Sequence, residues 1–257
     1  MKEQSNNTLF IGKVAIHLSS VNSTNLFAHE LISKTNPSEG TVIRADEQYA
    51  GRGQFGSSWS AKPGENITIS ILLNPRFLLA GEQFLLSQTI ALSLCDFIGQ
   101  FHLPEKVSIK WPNDIYVGKN KIAGVLIENI LKGVHLNQSI IGIGINVNQD
   151  IFDPSIPNPT SLFLQTQNKY EIDHLLFQLY ESVERHYLRL KSNDFGRIRE
   201  SYFERLFQAG LWKDFYIKSE NKIINARITG VDKTGKLELD CQGEIKSFDL
   251  KEIVYIF

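Results

Sequence analysis

The strongest constraint on the fold is a pair of β-prone runs at residues 122–130 and 139–147, which pair with each other in a sheet. Ile67, Ile69, Ile71 and Leu73 fall on alternate positions, as in a strand, and read as a third strand. Residues 41–45 read as a further strand, and 106–117 as two short strands joined at Trp111-Pro112-Asn113, because Pro and Asn favour turns. Helices separate these runs. Residues 82–101 carry Phe84, Leu85, Ile90, Leu94 and Phe97 at helical spacing, and Leu175, Leu176, Leu179, Val183 and Leu190 form one apolar stripe from Ile172. A further helix covers about 196–208, and Ser23 or Thr24 suits the N-cap of a short helix carrying Leu26, Phe27 and Leu31. Residues 51–60 are rich in Gly and Ser and form a loop; 150–161 hold three prolines and are irregular.

Beyond Gly210 the pattern changes to short strands at 215–218, 226–231, 236–239 and 245–250, with Asp232-Lys233-Thr234-Gly235 as a hairpin turn. The chain therefore divides into an α+β unit, 1–208, and a small all-β unit, 209–257. Its 27 basic and 28 acidic side chains give a net charge of -1, so no bulk positive field draws it to nucleic acid or an anionic membrane. The most apolar stretch, 84–98, is too short and too polar to span a bilayer. Residues 1–8 show no secretion signal. Cys95 and Cys241 have neither metal spacing nor a disulfide framework and read as thiols of a reducing cytoplasm.

Four segments could carry chemistry. Gly51-Arg52-Gly53-Gln54-Phe55-Gly56 matches the glycine pattern of a dinucleotide site, but no helix follows and positions 70–76 hold no acid. No Gly-Lys-Ser/Thr follows either, so it is not a P-loop. What remains is a glycine loop that brings backbone N–H groups and the Arg52 guanidinium to an anion, or a flexible surface loop. Trp59 beyond it could stack on a purine or fill a core. Lys110-Trp111-Pro112-Asn113-Asp114 suits phosphate and Mg²⁺ binding, or a hairpin whose Asn and Asp bond the local backbone. In 121–128, strand alternation puts Lys121 on one face with Ala123, Val125 and Ile127, and Gly124 would let a ligand lie on the sheet. Gly142 and Gly144 weaken their strand unless something packs close, and Asn146 could bond a nucleotide.

In order and spacing, Ser23-Thr24-Asn25, Gln48, Gly51-Arg52-Gly53, Trp59, 110–114, 121–128 and 142–146 together resemble the catalytic domain of biotin–protein ligases, from about Ile16 to about Leu206. The tail from Gly210 is similar to the SH3-like domain that follows it in that family. The resemblance implies a mixed or antiparallel sheet with helices packed on one side, of the class II synthetase type. It implies that biotin and ATP react to biotinyl-AMP, and that the biotin passes to a lysine of a biotin carboxyl carrier protein. Ser23, Thr24, Asn25, Gln48, Gly51, Gly53 and Gly124 would bind biotin, with Gln54 and the rest of the loop closing over the adenylate. Arg52 and Lys121 would be the catalytic cations on the biotin carboxylate and α-phosphate. Trp59, Lys110, Asn113, Asp114 and Asn146 would surround ATP, with Asp114 a candidate Mg²⁺ ligand. Gln54 and Ser57 stand where the family's loop often has further basic residues, which bears on how Gln54 grips phosphate. The pattern starts within about 20 residues of Met1, so no winged-helix domain and no operator binding are expected; a homodimer is compatible. The competing readings are a lipoate–protein ligase of the same fold and a non-catalytic biotin sensor.

Overall fold

A computed structural model describes residues 7–256, and 1–6 of the polar N-terminal stretch lie outside it. The first part of the chain builds β1 (Ala15–Val21), α1 (Thr24–Lys34), β2 (Val42–Gln48), β3 (Asn66–Leu73) and α2 (Phe84–Gly99). Then follow β4 (Val107–Lys110), β5 (Asp114–Val117), β6 (Asn120–Lys132), β7 (His135–Asn146), α3 (Leu162–Thr166), α4 (Ile172–Lys191) and α5 (Phe195–Arg205). The seven strands form one sheet in the order β1-β2-β3-β7-β6-β5-β4. Only β1 and β2 are parallel, because α1 crosses between them; the other neighbours are antiparallel. The expected pairing of 122–130 with 139–147 is the β6–β7 ladder.

β3 is buried on both faces, and its alternation sorts the two sides. Ile67, Ile69, Ile71 and Leu73 join the main core with α2 and α4. Leu72 instead meets Ala28 of α1, Ile43 and Ile140 in a small second core. Helices α2, α4 and α5 thus pack together on the expected side, and α1 covers the opposite face at one end of the sheet. Where those three helices meet, Asp96 accepts from His186 at 2.8 Å and from Arg205 at 2.7 Å. The His186 bond, with the nearby Arg205 charge, lowers the Asp96 pKa to about 2. Strand β1 and helix α3 had no legible pattern: β1 is a mostly exposed edge strand, and α3 has five residues.

The tail forms a second, five-stranded antiparallel sheet from β8 (Trp212–Ile217), β9 (Lys222–Val231), β10 (Leu237–Cys241), β11 (Glu244–Phe248) and β12 (Ile253–Tyr255). Its β9–β10 turn is pressed onto the first unit. Trp111 Nε1 donates to Gly235 O at 2.9 Å, and Gly235 has φ +97° with its absent Cβ facing the Phe84 ring. Only glycine meets both demands. Tyr255 of β12 packs against Phe215 and Phe207. None of the described helices is long and apolar enough to cross a membrane.

Candidate active site

A cavity of about 360 Å³ opens above β3, β6 and β7 between α1, the glycine loop and the tail unit. One end is a hydrogen-bonding wall whose cavity-lining side chains are hydroxyls and amides. Ser23 occupies the N-cap of α1 with extended backbone, but its side chain makes no capping bond and lines the cavity instead. Gln48 Oε1 accepts from Thr24 N at 2.9 Å and lies 3.3 Å from Thr24 Oγ1. Ser70, fully buried on β3, donates to Asn25 Oδ1 at 2.6 Å and sits 2.8 Å from Thr24 Oγ1. Asn25 Nδ2 donates to Glu128 at 2.7 Å. Asn25 lies close to β7 because residue 142 is glycine: a Cβ there would sit 2.5 Å from Asn25 Oδ1.

The glycine loop folds back on itself. Trp59 N donates to Gly51 O at 3.0 Å and Gly53 N to Ser57 O at 2.7 Å, around a 3₁₀ turn at Gln54–Gly56. This carries Arg52, Gly53, Gln54 and Trp59 to the cavity, while Gly51 stands behind them. The Trp59 indole lies flat on the sheet over Gly144, where a Cβ would come within 2.3 Å of the ring. Arg52 is about half exposed, and its Nη1 is 3.4 Å from Glu128.

The other end holds cations. Lys121 Nζ is 2.7 Å from Asp114 and 5.8 Å from the centre of the Trp59 ring. The face expected for Lys121 needs correction. β5 and β6 slip register between Ile115 and Tyr116, so that Lys121 opposes Tyr116 and Ala123 opposes Ile115. Ile122 is the extra residue of a bulge, which shifts the alternation. Lys121 therefore lies beside Gly124, not with Ala123 and Ile127. Its backbone bonds the 158–160 segment.

Lys110 donates to the Tyr116 hydroxyl at 3.2 Å and stands 5.2 Å and 5.4 Å from the centres of the Tyr116 and Tyr255 rings. Burial lowers its pKa, opposed by Asp114 and assisted by Lys121. Asn113 is tied through Nδ2 to Val125 O. Asn146 lies outside the cavity lining: its Nδ2 donates to Thr160 O at 2.9 Å. Its Oδ1 and the Trp59 Nε1 are buried without a hydrogen-bond partner among the described residues. Unmet buried polar atoms are costly, and of the two only Trp59 belongs to the cavity lining, so its Nε1 suits a ligand acceptor.

The described residues contain no cluster of three His, Cys, Asp or Glu side chains. Asp114 is the one predicted metal ligand, and it is paired with Lys121. A single carboxylate fits magnesium that arrives on phosphate oxygens, and does not form a resident metal cage. The residues missed by sequence reading are Ser70 and Glu128 in the wall and Lys218, Lys251 and Tyr255 of the tail unit in the lining. The sequence offered Glu128 only as the last residue of the 121–128 segment, with no role of its own; the others carried no signal.

A sheet-floored chamber with a hydrogen-bonding wall of hydroxyls and amides at one end, two lysines at the other and an arginine on the loop between them defines a binding protein for a small, polar-headed acid and an anionic co-ligand. Residues 18–146 match the biotin/lipoate A/B protein ligase family, to which the chain belongs. It is 30% identical over 250 residues to the bifunctional ligase/repressor BirA of Bacillus spizizenii, covering 93% of this chain and 73% of that protein. It is 28% identical over 228 residues to the biotin–[acetyl-CoA-carboxylase] ligase of Paracoccus denitrificans, covering 86% of this chain and 92% of the relative. The fold is similar to that of the Aquifex aeolicus biotin protein ligase solved with biotin and ATP, at a TM-score of 0.76 and 26% identity over 94% of this chain and 98% of that one.

Proposed function

We propose that this chain is an ATP-dependent biotin–protein ligase, joining biotin to a lysine of a biotin carboxyl carrier domain of a biotin-dependent carboxylase. The supporting observation is the junction, in one cavity, of the Thr24–Asn25–Gln48 wall, backed from beneath by Ser70, with Arg52, Lys110 and Lys121. A ureido ring offers two N–H donors and one carbonyl, and a wall of fixed amides and hydroxyls would pair all three. A site of this kind rejects analogues that leave its polar groups unpaired.

The biotin carboxylate must attack an anionic α-phosphate, so two like charges must be brought together. Arg52 and Lys121 would straddle that contact, and Lys110 would face the phosphate tail. Such fixed charges stabilise the negative charge that develops as the carboxylate oxygen bonds phosphorus and pyrophosphate leaves. Magnesium on the triphosphate would supply further neutralisation, with Asp114 the candidate ligand on the protein side. The Trp59 Nε1, buried without a partner among the described residues and set in the lining, suits an acceptor of a nucleotide base. The acceptor lysine amine then attacks the biotinyl carbonyl, an amide forms and AMP departs. Gly53, Gln54 and their loop would keep water from the mixed anhydride meanwhile. We assign the catalytic unit to residues 1–208 and an SH3-like unit to 209–257.

The deciding experiment is biotin-dependent exchange of labelled pyrophosphate into ATP, followed by transfer of biotin to a purified carrier domain. Exchange with biotin and not with lipoate is expected. Exchange supported by lipoate alone, or by neither acid, would overturn the assignment. Arg52→Ala is expected to weaken biotin binding and release adenylate into solution; unchanged affinity with no leakage would remove Arg52 from its role.

A further inference from the structure

Glu128 projects from β6 into a set of groups that belong to the biotin wall. Its Oε2 accepts from Asn25 Nδ2 at 2.7 Å and lies 3.6 Å from His29 Nε2, while its Oε1 lies 3.4 Å from Arg52 Nη1. Arg52 is thus held by a carboxylate of the protein itself, and the same guanidinium is the one assigned above to the ligand's carboxylate. We propose that Glu128 is a positioning residue that parks the glycine loop: it occupies Arg52 until an incoming carboxylate takes its place. This inference rests on the ligase reading only for the identity of that carboxylate.

Three features fit an exchangeable latch. The pair is partly exposed, with side-chain accessibilities of 45% for Arg52 and 22% for Glu128, so it is weak enough to be replaced. Glu128 keeps Asn25 and His29 nearby when Arg52 departs, so release does not strand a bare buried charge. Arg52 sits on a loop bonded mostly to itself, whose ends at Gly51 and Trp59 are joined by their own backbone bond. The loop can therefore move with little disturbance of the sheet. When the product leaves, Glu128 recaptures Arg52 and the mouth reopens.

Glu128→Gln isolates the charge. The amide oxygen still accepts from Asn25, while the ion pair with Arg52 and the charge facing His29 are lost; the Arg52→Ala background separates the two. Biotin should bind this variant about two- to fivefold more tightly than the parent, the range an exposed ion pair can shift. The same substitution in an Arg52→Ala background should leave biotin affinity unchanged. Weaker or equal binding by Glu128→Gln, or the same shift with and without Arg52, would overturn the latch. A second measurement needs no vitamin: trypsin should cut after Arg52 about two- to fivefold faster in Glu128→Gln, and an unchanged rate would count against the ion pair. Parent protein that binds no biotin would sink the proposed substrate, while the latch itself would then stand or fall on the trypsin rates.

Discussion

Ser70→Ala tests whether the binding wall is built from beneath. Ser70 is fully buried, and its hydroxyl gives its one proton to Asn25 Oδ1 at 2.6 Å. Thr24 keeps a second partner in Gln48, but among the described residues Asn25 Oδ1 has no other donor. Removing the hydroxyl leaves a buried carbonyl oxygen without a donor, which costs about 2 kcal/mol, within the usual span of about 1–3. For a protein of this size that is a fall in Tm of about 4–8 °C. The methyl group fills nearly the same space, so no cavity contributes. Asn25 then has less reason to hold its orientation, and biotin affinity should fall about tenfold, equivalent to about 1.4 kcal/mol. Urea unfolding followed by two probes gives the first number, and titration calorimetry with biotin the second. A stability change under about 0.5 kcal/mol together with parental affinity would refute this account of the wall.

Two further substitutions probe parts away from it. Asp96 has its pKa lowered to about 2, so its pairing with His186 and Arg205 stabilises the fold fully above pH ~4, the range where an unfolded Asp is ionised. That contribution should vanish as pH falls from about 4 through 2. Asp96→Asn should cost about 1–2 kcal/mol at pH 7 after allowance for solvent screening, and converge with the parent in stability near pH 2; a difference that persists into acid would count against the linkage. Gly144→Ala drives a methyl to within 2.3 Å of the Trp59 ring, so the indole must lift from the sheet at about 1–3 kcal/mol. Its fluorescence should shift to the red, and parental emission would show that the ring never rested there.

Much of the cavity's lining was legible because its residues lie in short, ordered segments whose spacing is unusual: the Ser23-Thr24-Asn25 triplet, the Arg52 loop and the Lys110–Asp114 turn. The periodic elements were legible because β3 places its isoleucines on alternate positions facing the main core and α4 buries one helical stripe. Three things were not. The face of Lys121 depends on a bulge at Ile122, and a strand's alternation holds only while its register is unbroken. Ser70 looks like any small residue in an apolar strand; its importance arises from α1 crossing the sheet above it. β1 and β12 are short or exposed edge strands whose pairing partners, β2 and β8, supply the order their own sequences lack.

The tail sheet has a consequence for how this protein can be taken apart. Lys218, Lys251 and Tyr255 border the same chamber as Arg52 and Lys121, and the Tyr255 ring flanks Lys110. A fragment ending near residue 208 would present a vessel with one side missing, its lysine relieved of an aromatic neighbour and its apolar floor opened to solvent. Inactivity of such a fragment would say nothing against the chemistry of the remainder, and swapping tails between relatives would alter the Lys110 end of the chamber before it altered the Asn25 end.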